Sequence, residues 1–285
     1  MCCPKKPPRS RGGFPFLYWI KMKIPIFQVD AFSEKPFSGN PAAVCLLGEE
    51  KDDNWLLSMA AEMNLSETAY LWKLKNGYQL RWFTPTTEVD LCGHATLASA
   101  HILWETGRLG IDNLAEFSTL SGVLRAERKG DWMELNFPAE PEQFANIPPE
   151  LSQALKILPE YYGKNRMDGL VLLKSEEEVL NLQPDFETLS KIEVRGIIAT
   201  APSSSKDFDF VSRFFAPRFG IEEDPVTGSA HCCLGPFWGK RLQKKELIAR
   251  QLSSRGGIVR MTLEENRVVL AGKAVTVFNG ELVIP

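Results

Sequence analysis

Residues 81–100 read RWFTPTTEVDLCGHATLASA, and residues 213–231 read RFFAPRFGIEEDPVTGSAH. Each stretch opens on Arg, two aromatic residues, a small residue and Pro. Each then passes through an acidic loop into Gly and a run of small residues. The first loop is three residues shorter. A second echo follows in the same order: Ser121-Gly122-Val123-Leu124-Arg125 is answered by Gly256-Gly257-Ile258-Val259-Arg260. Four features repeated in fixed order point to an internal duplication, and self-similarity of that kind sets the architecture. The prediction is an α+β fold of two pseudo-symmetric halves. Each is a curved, mostly antiparallel sheet wrapped around a central helix, and the two face each other across a cleft where a small ligand can bind.

The rest of the composition is that of an ordinary globular chain. Its 285 residues are 44% apolar and 24% charged, enough for a large core. A net charge of -3 gives no reason to expect nucleic acid or an anionic membrane surface as a partner. Before the first acidic residue, Asp30, stand Lys5, Lys6, Arg9, Arg11 and Lys21. The apolar run Phe14–Ile20 within this head is broken by Pro15 and is too short to span a bilayer. Residues 1–21 therefore read as a disordered extension, with the fold beginning near Met22. The six cysteines lack C-x-x-C spacing and read as reduced thiols of a cytoplasmic protein. A zinc site from His231, Cys232 and Cys233 is disfavoured, because consecutive helical side chains point in different directions. No phosphate loop, dinucleotide fingerprint or nucleophile elbow is present, and no cofactor is expected.

Strands are predicted at Ile24–Val29, Ala42–Leu47, Leu65–Trp72 and Tyr78–Phe83. Asp52 and Asp53 are placed to cap a helix over Asn54–Met63 whose stripe is Trp55, Leu56, Met59, Ala60 and Met63. The Gly93 helix should end near Thr106, where Gly107 follows. Pro138–Pro159 reads as a connector. Further strands are expected at Gly169–Leu173, Arg195–Ala199, Asp207–Phe215 and from Gly257 to Phe278, with helices near Phe186–Lys191 and Gly228–Leu242.

The chemistry gathers at the two helix starts. The first N–H groups of a helix lack internal partners and carry partial positive charge. Glycine lets an anion approach them. Two such starts, one per half, could grip a carboxylate or an enolate-like oxygen, although either glycine alone could simply serve helix–sheet packing. Glu67 falls on one strand face with Leu65, Ala69 and Leu71. A carboxylate there is poorly solvated, which suits it to carry a proton near neutral pH. The alternative is a structural pairing with an arginine such as Arg81. His94 opens the first helix, where it can act as an acid or hydrogen-bond a substrate. Asp224 can cap the second helix or orient His94, and Ser229 holds the place in the second half that His94 holds in the first.

These residues carry a resemblance. The segments IPIFQVDAFSEKPFSGNPAAVCLL, MNLSETAYL, LRWFTPTTEVDLCGHATLASA and FAPRFGIEEDPVTGSAH resemble the PhzF family of phenazine-biosynthesis-like isomerases. The likeness runs from about Lys23 to the C-terminus. It implies the diaminopimelate-epimerase-like fold, with halves at residues 22–118 and 119–285 and the last strand able to return to the first half. It also implies a homodimer, no cofactor, no metal, and proton transfer on a small carboxylate such as a dihydro-hydroxyanthranilate. The family's catalytic Glu, His and Asp fall on Glu67, His94 and Asp224, and its substrate-contacting Ser falls on Ser229. Gly93 and Ala95 in the first helix start, with Thr227 and Gly228 in the second, are the expected binding positions for anionic oxygen.

One departure bears on the reaction. Cys92 stands where racemases and epimerases of the same fold carry one of two catalytic thiols, but the second position is Thr227, a poor proton acceptor. Two rivals stay open: an epimerase using Glu67 with Cys92, and a partner-binding protein with a vestigial cleft.

Overall fold

The computed structural model describes residues 23–283. The extension expected at residues 1–21 lies outside the described residues.

The chain starts with an antiparallel pair, β1 (Ile24–Ala31) and β2 (Asn40–Leu46). Their connection needs Gly39, which has φ 72°; a Cβ there would stand 2.2 Å from the carbonyl oxygen of Ala31. The paired aspartates do start a helix, α1 (Asp53–Met63), and Asp52 accepts from the Trp55 N–H. Such a cap is worth about 1 kcal/mol. The expected stripe faces inward: Leu56 and Ala60 are buried, and Trp55, Met59 and Met63 pack against the same cluster. Next come β3 (Glu67–Lys73), parallel to β2, and β4 (Tyr78–Phe83), antiparallel to β3. The short β5 (Glu88–Val89) leads into α2 (Gly93–Glu105). β6 (Ala115–Thr119) lies parallel to β4, and β7 (Gly122–Lys129) and β8 (Trp132–Pro138) complete a meander.

The second repeat begins after β9 (Gln143–Phe144) and α3 (Pro149–Leu155). It runs through β10 (Tyr161–Lys164), β11 (Gly169–Leu172), α4 (Glu176–Leu180), α5 (Phe186–Leu189), β12 (Ile197–Pro202) and β13 (Phe210–Ala216). It continues with β14 (Ile221–Asp224), α6 (Gly228–Leu242), β15 (Glu246–Gln251), β16 (Gly257–Leu263) and β17 (Arg267–Gly272), and β18 (Ala274–Leu282) closes the chain. The pairing scheme repeats the first half. β11–β12 and β13–β15 are parallel, as β2–β3 and β4–β6 are, and the other pairings are antiparallel.

The echoed pentapeptides occupy equivalent places. Arg81 grips Glu88 through two hydrogen bonds of 2.7 Å, and Arg213 grips Glu223 in the same way at 2.6 and 2.9 Å. The longer second loop opens with a 3-10 turn, Pro217–Phe219.

The halves are stitched rather than merely apposed. β8 pairs with β17, β18 returns to pair with β1, and β9 crosses to pair with β10. The expected division at 118/119 falls inside β6, whose pairing with β4 continues the first repeat. The expected connector over Pro138–Pro159 contains β9 and α3, and α3 covers a satellite core with α5. β15 was not anticipated, because its inward positions are Leu247, Ala249 and the polar Gln251. α2 is buried on nearly every side and carries mostly small residues on its first two turns, which lets the sheet close around it.

Candidate active site

The two central helices point their N-termini at each other. A Cβ built on Gly93 would lie 3.9 Å from the Gly228 Cα, and one built on Gly228 would lie 3.9 Å from the Gly93 Cα. Side chains at either position would fill the gap between the helix starts. Cys92 and Thr227 hold the equivalent N-cap positions, and neither side chain caps its helix. Ala95 is fully buried and Thr227 nearly so.

Glu67 and His94 come together at this junction. Glu67 Oε2 lies 3.2 Å from His94 Nε2, with both side chains largely buried. That contact is not aligned as a hydrogen bond, and Glu67 Oε2 is buried with no hydrogen-bond partner among the described residues. Arg81, the structural alternative for Glu67, is engaged by Glu88 and by Asp53 instead. Cys92 Sγ sits 3.5 Å from His94 Nδ1 and 4.0 Å from its Nε2. Burial, reinforced by the charge of Glu67, pushes the Cys92 thiol up. Burial opposes an imidazolium at His94, but Cys92 and Glu67 beside it outweigh that penalty and hold the ring well above the usual imidazole range.

Asp224 comes from the end of β14, in the other half. Its Oδ1 accepts from Asn40 Nδ2 at 2.8 Å, and its Oδ2 accepts from the Thr227 hydroxyl. Asn40 also donates to the Val226 carbonyl at 2.9 Å. Gln251 completes the clamp, donating to the Asp224 carbonyl at 2.7 Å and accepting from the Thr227 N–H at 2.9 Å. Burial raises the Asp224 carboxyl above the ordinary range against the opposing charge of His94. Asp224 therefore sits within electrostatic reach of His94 without a direct hydrogen bond to it.

Ser229 has a partner the sequence did not reveal. Its hydroxyl accepts from Arg195 Nη2 at 2.9 Å, and the same guanidinium grips the buried Asp168 at 2.9 and 2.5 Å. Asn40, Gln251, Arg195 and Asp168 were all missed as site residues. Asn40 lies between two predicted strands, and Gln251 was assigned to no element.

Glu67, Cys92 and His94 are the one group of metal-ligating types that converges among the described residues, with ligand atoms within 4.8 Å of one another. His231, Cys232 and Cys233 do not converge: the His231 Nδ1 is spent on the Thr227 carbonyl at 2.8 Å. No helix among the described residues is long and apolar enough to cross a membrane.

Known proteins match this chain along most of its length. An uncharacterized isomerase of Halalkalibacterium halodurans is 52% identical over 92% of this chain and all of its own length. The human phenazine biosynthesis-like domain-containing protein is 41% identical, covering 92% of this chain and 99% of its own. The crystal structure of a PhzF-family phenazine biosynthesis protein from Enterococcus faecalis superposes with a TM-score of 0.89 at 42% identity, over 92% of this chain and all of that one. A hydroxyproline epimerase from Agrobacterium vitis, 12% identical, shares the fold with a TM-score of 0.63 over 94% of each chain. The family model for phenazine biosynthesis-like proteins, PhzC-PhzF, matches residues 29–280, and the chain belongs to that family, an isomerase of the epimerase-like fold.

Proposed function

We propose that the chain is a cofactor-independent isomerase that moves a proton between atoms of a small carboxylate substrate, with Glu67 as the proton carrier. The observation that carries the reading is the state of Glu67 Oε2. It is buried, it touches His94 Nε2 at 3.2 Å, and it has no hydrogen-bond partner among the described residues. A carboxylate oxygen left without a donor is free to take a proton from a substrate carbon and return it at another position. His94 beside it offers an N–H to the oxygen that gains charge as the C–H bond breaks. The facing helix starts at Gly93 and Gly228 supply N–H groups for an anionic oxygen. Asp224, locked by Asn40 and Thr227, holds the second half in register with His94.

The test is exchange in heavy water. Candidate cyclic and acyclic carboxylates are incubated with enzyme, and deuterium incorporation at carbon is followed by NMR. Glu67→Gln keeps the size of the side chain and removes the proton carrier. The expected outcome is a loss of at least ~100-fold in exchange, the usual scale for a general base, with circular dichroism unchanged. Exchange near the parent rate in the folded variant sinks the reading.

A further inference from the structure

The duplication makes a specific comparison possible at the corner of each repeat where the strand start meets the second residue of the helix. Tyr70 pairs with Arg81 in the first half, and Ala199 pairs with Arg213 in the second. Since Arg81 and Arg213 are equivalent, Thr68 corresponds to Ile197, and Glu67 to Gly196. Cys92, Gly93 and His94 correspond to Thr227, Gly228 and Ser229. The His94–Glu67 contact of the first half thus has a counterpart, and that counterpart is Ser229 with Arg195, the neighbour of Gly196. One corner presents a carboxylate and the other a guanidinium.

Arg195 is built to stay where it is. Asp168, with a side chain 0% exposed, binds it through both carboxylate oxygens, and the guanidinium lies over the Phe214 ring at 5.4 Å. Such a bidentate pair fixes the plane of the guanidinium fork. Yet the Arg195 side chain remains 34% exposed, and its Nη1 has no hydrogen-bond partner among the described residues. Two of its three nitrogens orient the group, and the third is available as a donor. Asp168 offsets the charge, so what Arg195 offers is a directed N–H edge rather than a bare field.

Building on the isomerase reading above, we infer that Arg195, held by Asp168 and joined to Ser229, is a substrate-binding residue that recognises the substrate's carboxylate group, opposite the proton carrier Glu67. This division of labour separates the two ends of the substrate. The carboxylate docks on Arg195 and Ser229 in the second half, and the reacting carbons face Glu67 in the first.

Two probes of the same shape test this: anthranilate and its uncharged amide, anthranilamide, titrated by calorimetry into the full chain. Wild type should bind the carboxylate at least ~10-fold more tightly than the amide, the usual scale for one charge-assisted contact. Arg195→Gln should bring that ratio close to one, and Arg195→Lys should restore part of it. Arg195→Gln leaves Asp168 buried and unpaired, so Arg195→Gln with Asp168→Asn serves as the folded control and should show the same lost preference. A ratio that persists in the double variant, or a wild type that does not prefer the carboxylate, overturns the assignment. Glu67→Gln keeps the ratio while losing exchange if both readings hold. If Glu67→Gln keeps exchange and Arg195→Gln still loses the carboxylate preference, the proton-carrier reading falls and the binding residue stands.

Discussion

Cys92 and Thr227 occupy matching N-cap positions, and their difference separates a one-carboxylate proton transfer from a two-thiol reaction. The Cys92 thiol lies against His94, and burial pushes it up, which weakens it as the nucleophile or base a racemase would need. Cys92→Ala should therefore leave turnover within a few-fold and cost roughly 1 kcal/mol of stability, measured by denaturant unfolding. Loss of all activity in a folded Cys92→Ala variant would favour the epimerase rival. At this scale the sequence was partly legible. Strand alternation put Glu67 on an apolar face and glycine chemistry put His94 at a helix start, and the two residues do open β3 and α2. The sequence could not decide whether Arg81 pairs with Glu67, since that depends on which acid, Glu88, Asp53 or Glu67, the fold carries to the guanidinium.

The two central helices solve the same end problem with different chemistry. At the fourth residue of α2, the Thr96 hydroxyl donates to the Cys92 carbonyl at 2.5 Å. At the fourth residue of α6, His231 Nδ1 meets the Thr227 carbonyl at 2.8 Å. Burial lowers the His231 pKa to about 4 against this hydrogen bond, so the ring is neutral in the fold. The sign follows directly. Above the ordinary imidazole range, near 6.5, neither folded nor unfolded chain protonates this group. Between about 6.5 and about 4 the unfolded chain takes up a proton that the fold refuses, so stability falls as pH falls. Each tenfold difference in proton affinity is worth about 1.4 kcal/mol. His231→Thr, which borrows the hydroxyl used in α2, should lower stability at neutral pH through its cavity. It should also flatten the acid limb relative to wild type in urea titrations between pH 4 and 7. An unchanged slope would mean that the ring is not buried as a neutral group.

At the scale of the molecule, the stability of each half depends on the other. β18 lies along the whole of β1, from Ile24 opposite Leu282 to Ala31 opposite Ala274. β1 also carries Asp30, which Arg255 of the second half grips at 2.7 Å. A chain ending before Ala274 would expose one edge of β1 along its entire length. The expected result is loss of a single cooperative thermal transition in calorimetry, with the first half melting before the second. A truncated chain that still unfolds in one sharp step would show that β18 is an accessory strand.

The sequence by itself determined the duplication and the two glycine-led helices. These are local signals: a helix start needs its N-terminal residues in order, and a strand alternates its faces over a few residues, wherever the chain goes next. Only the tertiary structure decided who meets whom. Asn40 reaches Asp224 across 184 residues, and Arg255 reaches Asp30 across 225. The Arg195–Asp168–Ser229 cluster draws on the bend before β12, the residue before β11 and a helix start. Such contacts depend on how the sheets close around α2 and α6 and on the crossing of β9 and β18 between repeats. Hydrogen bonding is short-ranged and directional, so a polar residue acquires its role only when the fold brings a partner to within about 3 Å. No pattern of spacing along the chain encodes that distance.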